Sequence, residues 1–350
     1  MKFKNLIKKK PFIIAEISAN HNGSLKNAKK LIYTAKKCGA DAVKLQTYTP
    51  QSLTINSRKK DFIIKEGIWR KNSLWELYKK ASTPYSWHKH LFLYAKKINI
   101  LIFSTPFDEN AVDVLEKLKC PFYKVASFEM NHIPLIKKIA KTKKTLIIST
   151  GMASLKEIDL TYKIAKKYGS KDIILLYCVS NYPSKISDFN LNNIKILKKK
   201  YKCITGFSDH SNDNVIAETA VACGAEVIEK HIALSNQKNS LDFDFSLTEN
   251  KFKKYVSNLK KINSILGKDF FFRNKSEKKS LKFRRSIYAI KDIKKNDILT
   301  KKNIKIIRPG YGIEPLYFEK ILNKKSPINI KAETPLKKKI LKSLKIKILN

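Results

Sequence analysis

Two histidines close apolar runs that otherwise read as buried strands. His210 ends CITGFSDH, and His231 sits in VIEKHIAL twenty-one residues later. Two imidazoles with open coordination positions suit a divalent metal, water and a substrate oxygen completing the shell. The structural alternative is a pair of core histidines satisfied by backbone groups. Counting back by twos places Ser208 on the face of His210 and Glu229 on the face of His231. Neighbouring strands lie about 5 Å apart, so the rings meet if these runs pair. Other runs also carry polar side chains near their ends: Glu16, Lys44, Thr105, Lys124 and Ser149. A core needs none of these, and a buried lysine without an anion is costly. Two lysines among Thr and Ser hydroxyls make a pocket for phosphate and carboxylate. The alternative pairs Lys44 and Lys124 with Glu16 and Glu129 as structural ion pairs. His21, in ANHNG, either lines the pocket mouth or holds a loop. His88, His90 and His132 read as surface or packing residues.

The elements that must position these groups alternate. Strand-like runs are PFIIAEIS, AVKLQTY, ILIFSTPF, FYKVASFE, TLIISTG, IILLYCV, CITGFSDH and VIEKHIAL. Between them lie helical patterns such as SLKNAKKLIYTAKKCG, NAVDVLEKL and SLKEIDLTYKIAKKYG, several with a Ser or Asn start and a Gly stop. Eight strand–helix units over roughly 250 residues is the size of a (β/α)8 TIM barrel, whose catalytic groups project from the C-terminal strand ends. A doubly wound sheet would want a Gly-rich first turn, which is absent. The sequence divides into a barrel over 1–267, a charged linker over 268–283 and a small, mostly β module over 284–350. A long insertion, from TPQSLT to HKHLF, follows the second strand and is expected to cover the site.

Composition narrows the function classes. The chain has 350 residues, 73 Lys and Arg against 29 Asp and Glu, and a net charge of +44. Nearly all of that is lysine in KK pairs on helix faces, whereas base- and phosphate-reading surfaces favour arginine. We therefore read a solvated surface with no nucleic-acid partner, a basic nucleic-acid-binding module being the remote alternative. Five scattered cysteines without a CxxC argue against a zinc ribbon or disulfide framework. No apolar run approaches a membrane span, and the basic start lacks a signal-peptide pattern, so the expectation is a cytoplasmic protein with no membrane partner.

The ordered motifs AEISANHNG, VKLQTY, STPFDENAVDVLE, YKVASFE, ISTGMAS, GFSDH, VIEKH, RRSIYAIKDIKKNDILT and RPGYG resemble the sialic acid synthase family nearly end to end. Within it, the long insertion and RPGYGIEP are most similar to the pseudaminate-forming branch. The resemblance implies a TIM barrel followed by an antifreeze-like (SAF) domain. It also implies an enzyme that condenses phosphoenolpyruvate with an open-chain amino sugar, releasing phosphate. For that branch the sugar is 2,4-diacetamido-2,4,6-trideoxy-L-altrose; a neuraminate or legionaminate synthase is the alternative. By motif position His210 and His231 would hold Mn2+ or Mg2+, and Glu16 would assist proton movement. Lys44, Thr105, Lys124, Ser149, Ser180 and Ser208 would bind phosphoenolpyruvate. Glu129, Tyr182, Asp242 and Arg308 would contact the sugar, Arg308 from the partner of a domain-swapped homodimer. Two departures stand out. The loop after the eighth strand reads QKNSLDFDFSL, without the family's Gly-Gly-Pro, though Asp242 keeps the acidic position. Val179 stands where Thr is usual.

Overall fold

The computed structural model describes residues 3–7, 11–181, 184–267 and 271–348. They form two compact units, Met1–Gly267 and Lys268–Asn350. In the first, eight parallel strands close a barrel in sequence order: β1 (Phe12–Glu16), β2 (Ala42–Thr47), β3 (Leu101–Pro106), β4 (Phe122–Val125), β5 (Thr145–Ser149), β6 (Ile173–Cys178), β7 (Ile204–Asp209) and β8 (Val227–His231). All eight predicted strands are present. Each is buried along nearly its whole length, as parallel strands covered by helices must be.

The helices start where side chains can cap them. Ser24 accepts from Asn27 N ahead of Leu25–Lys37, and Asp108 caps Glu109–Lys117. Ser154 and Glu157 form a reciprocal capping box before Leu155–Lys167. Gly39 and Gly169, at φ +90° and +121°, turn the chain just past the first and last of these. Apolar helix faces then pack on the outside of the barrel around residues such as Ile13, Val43, Leu31, Phe207 and Phe252. Ile14, Phe103, Phe122, Ile147 and Leu176 belong to a second apolar cluster.

Register fixes which side chains share the lumen. Glu16 is level with Lys44 on one side and with His231 on the other. Ser208 is level with Glu229. One glycine makes the closing strands fit: a Cβ on Gly206 would lie 2.2 Å from Val227 O and 2.6 Å from Leu176 Cδ2. Only glycine lets β7 approach β8 this closely; His210 directly follows β7 and His231 ends β8.

The second unit pairs β9 (Ser286–Ala289) antiparallel with β10 (Ile304–Ile307), extended by isolated bridges such as Ile293 with Ile330. Its own core includes Ile287, Ile304, Tyr317, Leu336 and Leu341. Within the stretch read from sequence as linker, Lys275–Ser280 is helical.

Candidate active site

The C-terminal end of the barrel gathers four buried charges. The Lys44 ammonium pairs with Glu16 and lies 3.5 Å from Glu229 Oε1. Lys124 reaches the same Glu229 oxygen at 3.9 Å and donates to Ser149 Oγ at 2.6 Å. Lys44 also donates to Thr105 Oγ1 at 3.2 Å, and Ser208 Oγ donates to Glu229 Oε1 at 3.1 Å. Of the structural alternative, the Lys44–Glu16 pair is present, while no pairing of the lysines with Glu129 occurs among the described residues. Glu129 sits on the turn Ser127–Glu129 after β4, with a buried Oε2 that has no hydrogen-bond partner. Glu229, two residues before His231, is the shared counter-ion instead.

These environments set the charges. Burial pushes Glu16 up, Lys44 only partly offsets it, and its pKa stands at about 7. Burial opposes the Lys44 ammonium, but Glu16 and Glu229 outweigh it and hold its pKa above the ordinary lysine value. Lys124 goes the other way: burial dominates and lowers it despite Glu229. Glu229 is held below the usual carboxylate range because Lys124 and Lys44 together overcome its burial. Burial raises Glu129 to about 7.

The two histidines meet. Their ring centroids are 5.6 Å apart. Burial drops His210 to about 4, against the pull of its bond to Val179 O, and burial with the His210 and Lys44 charges drops His231 well below its normal value. Both are therefore neutral near pH 7, the form in which imidazole binds a metal. His210 Nδ1 bonds Val179 O at 3.1 Å, which places the lone pair on Nε2. His231 Nδ1 is buried with no hydrogen-bond partner, 3.9 Å from Asp242 Oδ2. An orphaned ring nitrogen beside a second neutral imidazole fits a divalent cation. Among the described residues no group of three His, Cys, Asp or Glu converges on one point, so water or substrate oxygens would complete the shell.

The rim is built by loops. After β5, a Cβ on Gly151 would lie 2.1 Å from Ser180 Oγ, 2.8 Å from Ser127 Oγ and 2.9 Å from Cys178 Sγ. The missing side chain leaves a small cradle, and the Ser180 hydroxyl in it is buried and unpartnered. Ser127, not singled out from sequence, accepts from Gly151 N at 3.2 Å. Without the Gly-Gly-Pro sequence, the loop after β8 is held by side chains: Asn20 Nδ2 donates to Ser246 Oγ at 2.8 Å, and Trp69 Nε1, from the long insertion, donates to Leu241 O at 3.1 Å. This places Asp242 at the site and the Phe245 ring 4.9 Å from His231. His21 is buried, with Nε2 3.2 Å from Thr83 Oγ1 and its ring against Trp87, a loop-holding role. His88 is fully buried and bonds Thr47. Tyr182 lies outside the described residues. Arg308 is exposed just beyond β10 in the second unit.

The sequence matches the NeuB family over residues 31–270 and the SAF domain over 284–342. It is 45% identical over 329 residues to a pseudaminic acid synthase of Campylobacter jejuni, covering 94% of this chain and 96% of that one. It is 37% identical to an N,N'-diacetyllegionaminic acid synthase of the same species, covering 93% and 98%. The crystal structure of an N-acetylneuraminic acid synthetase from Leptospira borgpetersenii, in complex with citrate, superposes with a TM-score of 0.70 at 33% identity, covering 79% of this chain and 91% of that one.

Proposed function

We propose, from the premise that this chain belongs to the NeuB family, that it is a phosphoenolpyruvate-dependent nonulosonate synthase forming pseudaminic acid. The observation that carries the reading is two buried lysines converging on one carboxylate beside two neutral imidazoles. The greater identity to a pseudaminic acid synthase than to a legionaminic one favours 2,4-diacetamido-2,4,6-trideoxy-L-altrose as the sugar.

Phosphoenolpyruvate places its phosphate and carboxylate against Lys44 and Lys124, with Thr105, Ser149, Ser180 and Ser208 as hydroxyl donors. The sugar lies toward Glu129, Tyr182 and Asp242. His210 and His231 are the residues that would hold Mn2+ or Mg2+, a Lewis acid for the sugar aldehyde. C3 of phosphoenolpyruvate attacks the aldehyde carbon, the carbonyl electron pair moves to oxygen, and C2 becomes electron-deficient. Glu16 and Glu229 face that positive charge. Water adds at C2 and gives up a proton, for which Glu16, poised at about 7, is the acceptor. The tetrahedral carbon then becomes a ketone as its hydroxyl gives up the second water proton and its bond to the phosphate oxygen breaks. One water proton ends on the alkoxide of the first step and the other on the phosphate, and the two lysines neutralise the departing anion.

The reading also makes the enzyme a cytoplasmic, domain-swapped homodimer, with Arg308 of one subunit serving the sugar site of its partner. Mixing an inactive Arg308→Ala chain with an inactive His231→Ala chain should then restore part of the activity; no recovery removes the exchange. For the reaction itself, phosphate release is measured with phosphoenolpyruvate, divalent metal and a panel of amino sugars, and the product is weighed by mass spectrometry. Diacetamido-altrose should outcompete mannosamine-type substrates. No turnover with any amino sugar refutes the synthase, and preference for a mannosamine derivative moves it to another branch.

A further inference from the structure

Ser18 stands two residues past the end of β1, at φ +45°, in the left-handed region that strains any residue with a side chain and that glycine enters freely. A serine held there indicates a use for its hydroxyl. The side chain is buried. Its Oγ donates to Asp242 Oδ2, 224 residues away, and accepts from Gln46 Nε2 at 2.9 Å. The Ser18 backbone N–H donates to Glu16 Oε1 at 2.9 Å. Beyond Ser18, only Ala19 N bonds the Asp242 side chain among the described residues, again at Oδ2 and at a long 3.4 Å. Oδ1 takes no such bond.

We propose that Ser18 is a positioning residue for substrate selection: its strained hydroxyl, steadied by Gln46, clamps one oxygen of Asp242 so that the other meets an O–H or acylamino N–H donor on the amino sugar. The proposal rests on the synthase reading and on Asp242 as a sugar contact. Two links support the geometry. Gln46 is level with Thr105 in the barrel, so the clamp is referenced to rigid strands rather than to the loop after β8. The Ser18 N–H on Glu16 also ties the clamp to the lysine cluster, so sugar and phosphoenolpyruvate sites share one frame.

Two variants separate positioning from stability. Ser18→Gly loses the hydroxyl and relieves the backbone; Ser18→Ala loses the hydroxyl and keeps the strain. Expected is a tenfold to hundredfold fall in kcat/KM for the amino sugar in both, with KM for phosphoenolpyruvate within about twofold of wild type. Their melting temperatures should diverge, Ser18→Gly above Ser18→Ala. In an Asp242→Asn background, Ser18→Gly should cause little further loss, because the group it acts through is already altered. Wild-type sugar kinetics in Ser18→Gly, an equal loss toward phosphoenolpyruvate, or a full additional loss in the Asp242→Asn background each overturns the inference and leaves the synthase standing. A wild-type enzyme that turns over no amino sugar removes both.

Discussion

Replacing Lys124 with methionine tests whether the lumen is built for a phosphorylated anion. Lys124 is 2% exposed, its ammonium 2.6 Å from Ser149 Oγ, 3.4 Å from Val125 O and 3.9 Å from Glu229 Oε1. Two opposing effects act on stability. Methionine removes a desolvated cation whose burial already depresses its pKa, but it takes one of two counter-charges from Glu229. Lys44 remains 3.5 Å from that carboxylate. Replacing a whole buried ion pair by apolar side chains is often near neutral, but removing one partner alone costs about 3–5 kcal/mol because it strands the other charge, and Lys44 on Glu229 offsets only part of that. The melting temperature should therefore fall, by less than the roughly 6–20 °C an unrelieved loss would give at about 2–4 °C per kcal/mol for a domain of this size, and the chain should stay folded. Binding has no such compensation. A hydrogen bond to a charged group contributes about 1.5–3 kcal/mol, which at about 1.4 kcal/mol per decade is a ten- to hundredfold rise in KM for phosphoenolpyruvate. Phosphate release measured against each substrate in turn, the other saturating, reads the effect. A folded Lys124→Met enzyme with wild-type KM for phosphoenolpyruvate would refute the pocket assignment. A rise confined to the sugar KM would do the same.

His210→Ala and His231→Ala should each abolish metal-dependent activity and weaken Mn2+ binding by calorimetry at least tenfold while leaving the fold intact; full activity in either removes the metal pair. Glu129 is raised from 4.5 to about 7 by burial, so the native state favours its protonated form. That contribution is complete below about pH 4.5 and lost as pH rises through 7. Glu129→Gln should accordingly gain up to about 3 kcal/mol on wild type between pH 5 and pH 8, and an equal difference in melting temperature at both pH values sinks the assignment. Phosphoenolpyruvate drawing Lys44 away from Glu16 should push that carboxyl above its resting value of about 7. Calorimetry in buffers of differing ionisation enthalpy at pH 7.5 should then show fractional proton uptake on binding that Glu16→Gln lacks; identical uptake in both proteins excludes Glu16 as the proton acceptor.

The barrel was legible because its signal is repeated: eight apolar runs, each followed by a capped amphipathic helix, leave few other ways to bury every strand. The histidine pair was legible for a related reason. In a barrel that closes in sequence order the last two strands are neighbours, and counting by twos then brings His210 beside His231. Contacts made by groups outside that periodicity were not readable. Glu229 was placed on the right face, but its service to both lysines depends on lumen diameter and on which strands oppose each other. Lys44 was taken as a strand end, yet β2 runs on through Thr47. Ser127 lies on a turn, and only the space left by Gly151 marks it. The bond from Trp69 to Leu241 O spans 172 residues; no local pattern announces that the insertion steadies the loop carrying Asp242. Ser18 was hidden likewise, because a positive φ at a non-glycine residue has no signature in sequence.

The charge arrangement explains why a costly cluster is kept in the interior. Glu16, Lys44, Glu229 and Lys124 are each at most a few percent exposed and, when all four are ionised, sum to zero, which leaves no net charge buried in the lumen. A core of apolar side chains would do that at least as well, so stability alone gives no reason for four ionisable groups. Binding does. An anion entering a neutral cluster exchanges one carboxylate partner for another rather than meeting bare buried cations. The partner most readily displaced is Glu16, already raised to about 7, because it can leave Lys44 by taking a proton. Glu229, held low by two lysines, stays charged. The two carboxylates thus differ in function because they differ in cation count. One can move a proton at neutral pH, and the other remains as fixed negative charge, which the proposed reaction would set beside the carbon that becomes electron-deficient.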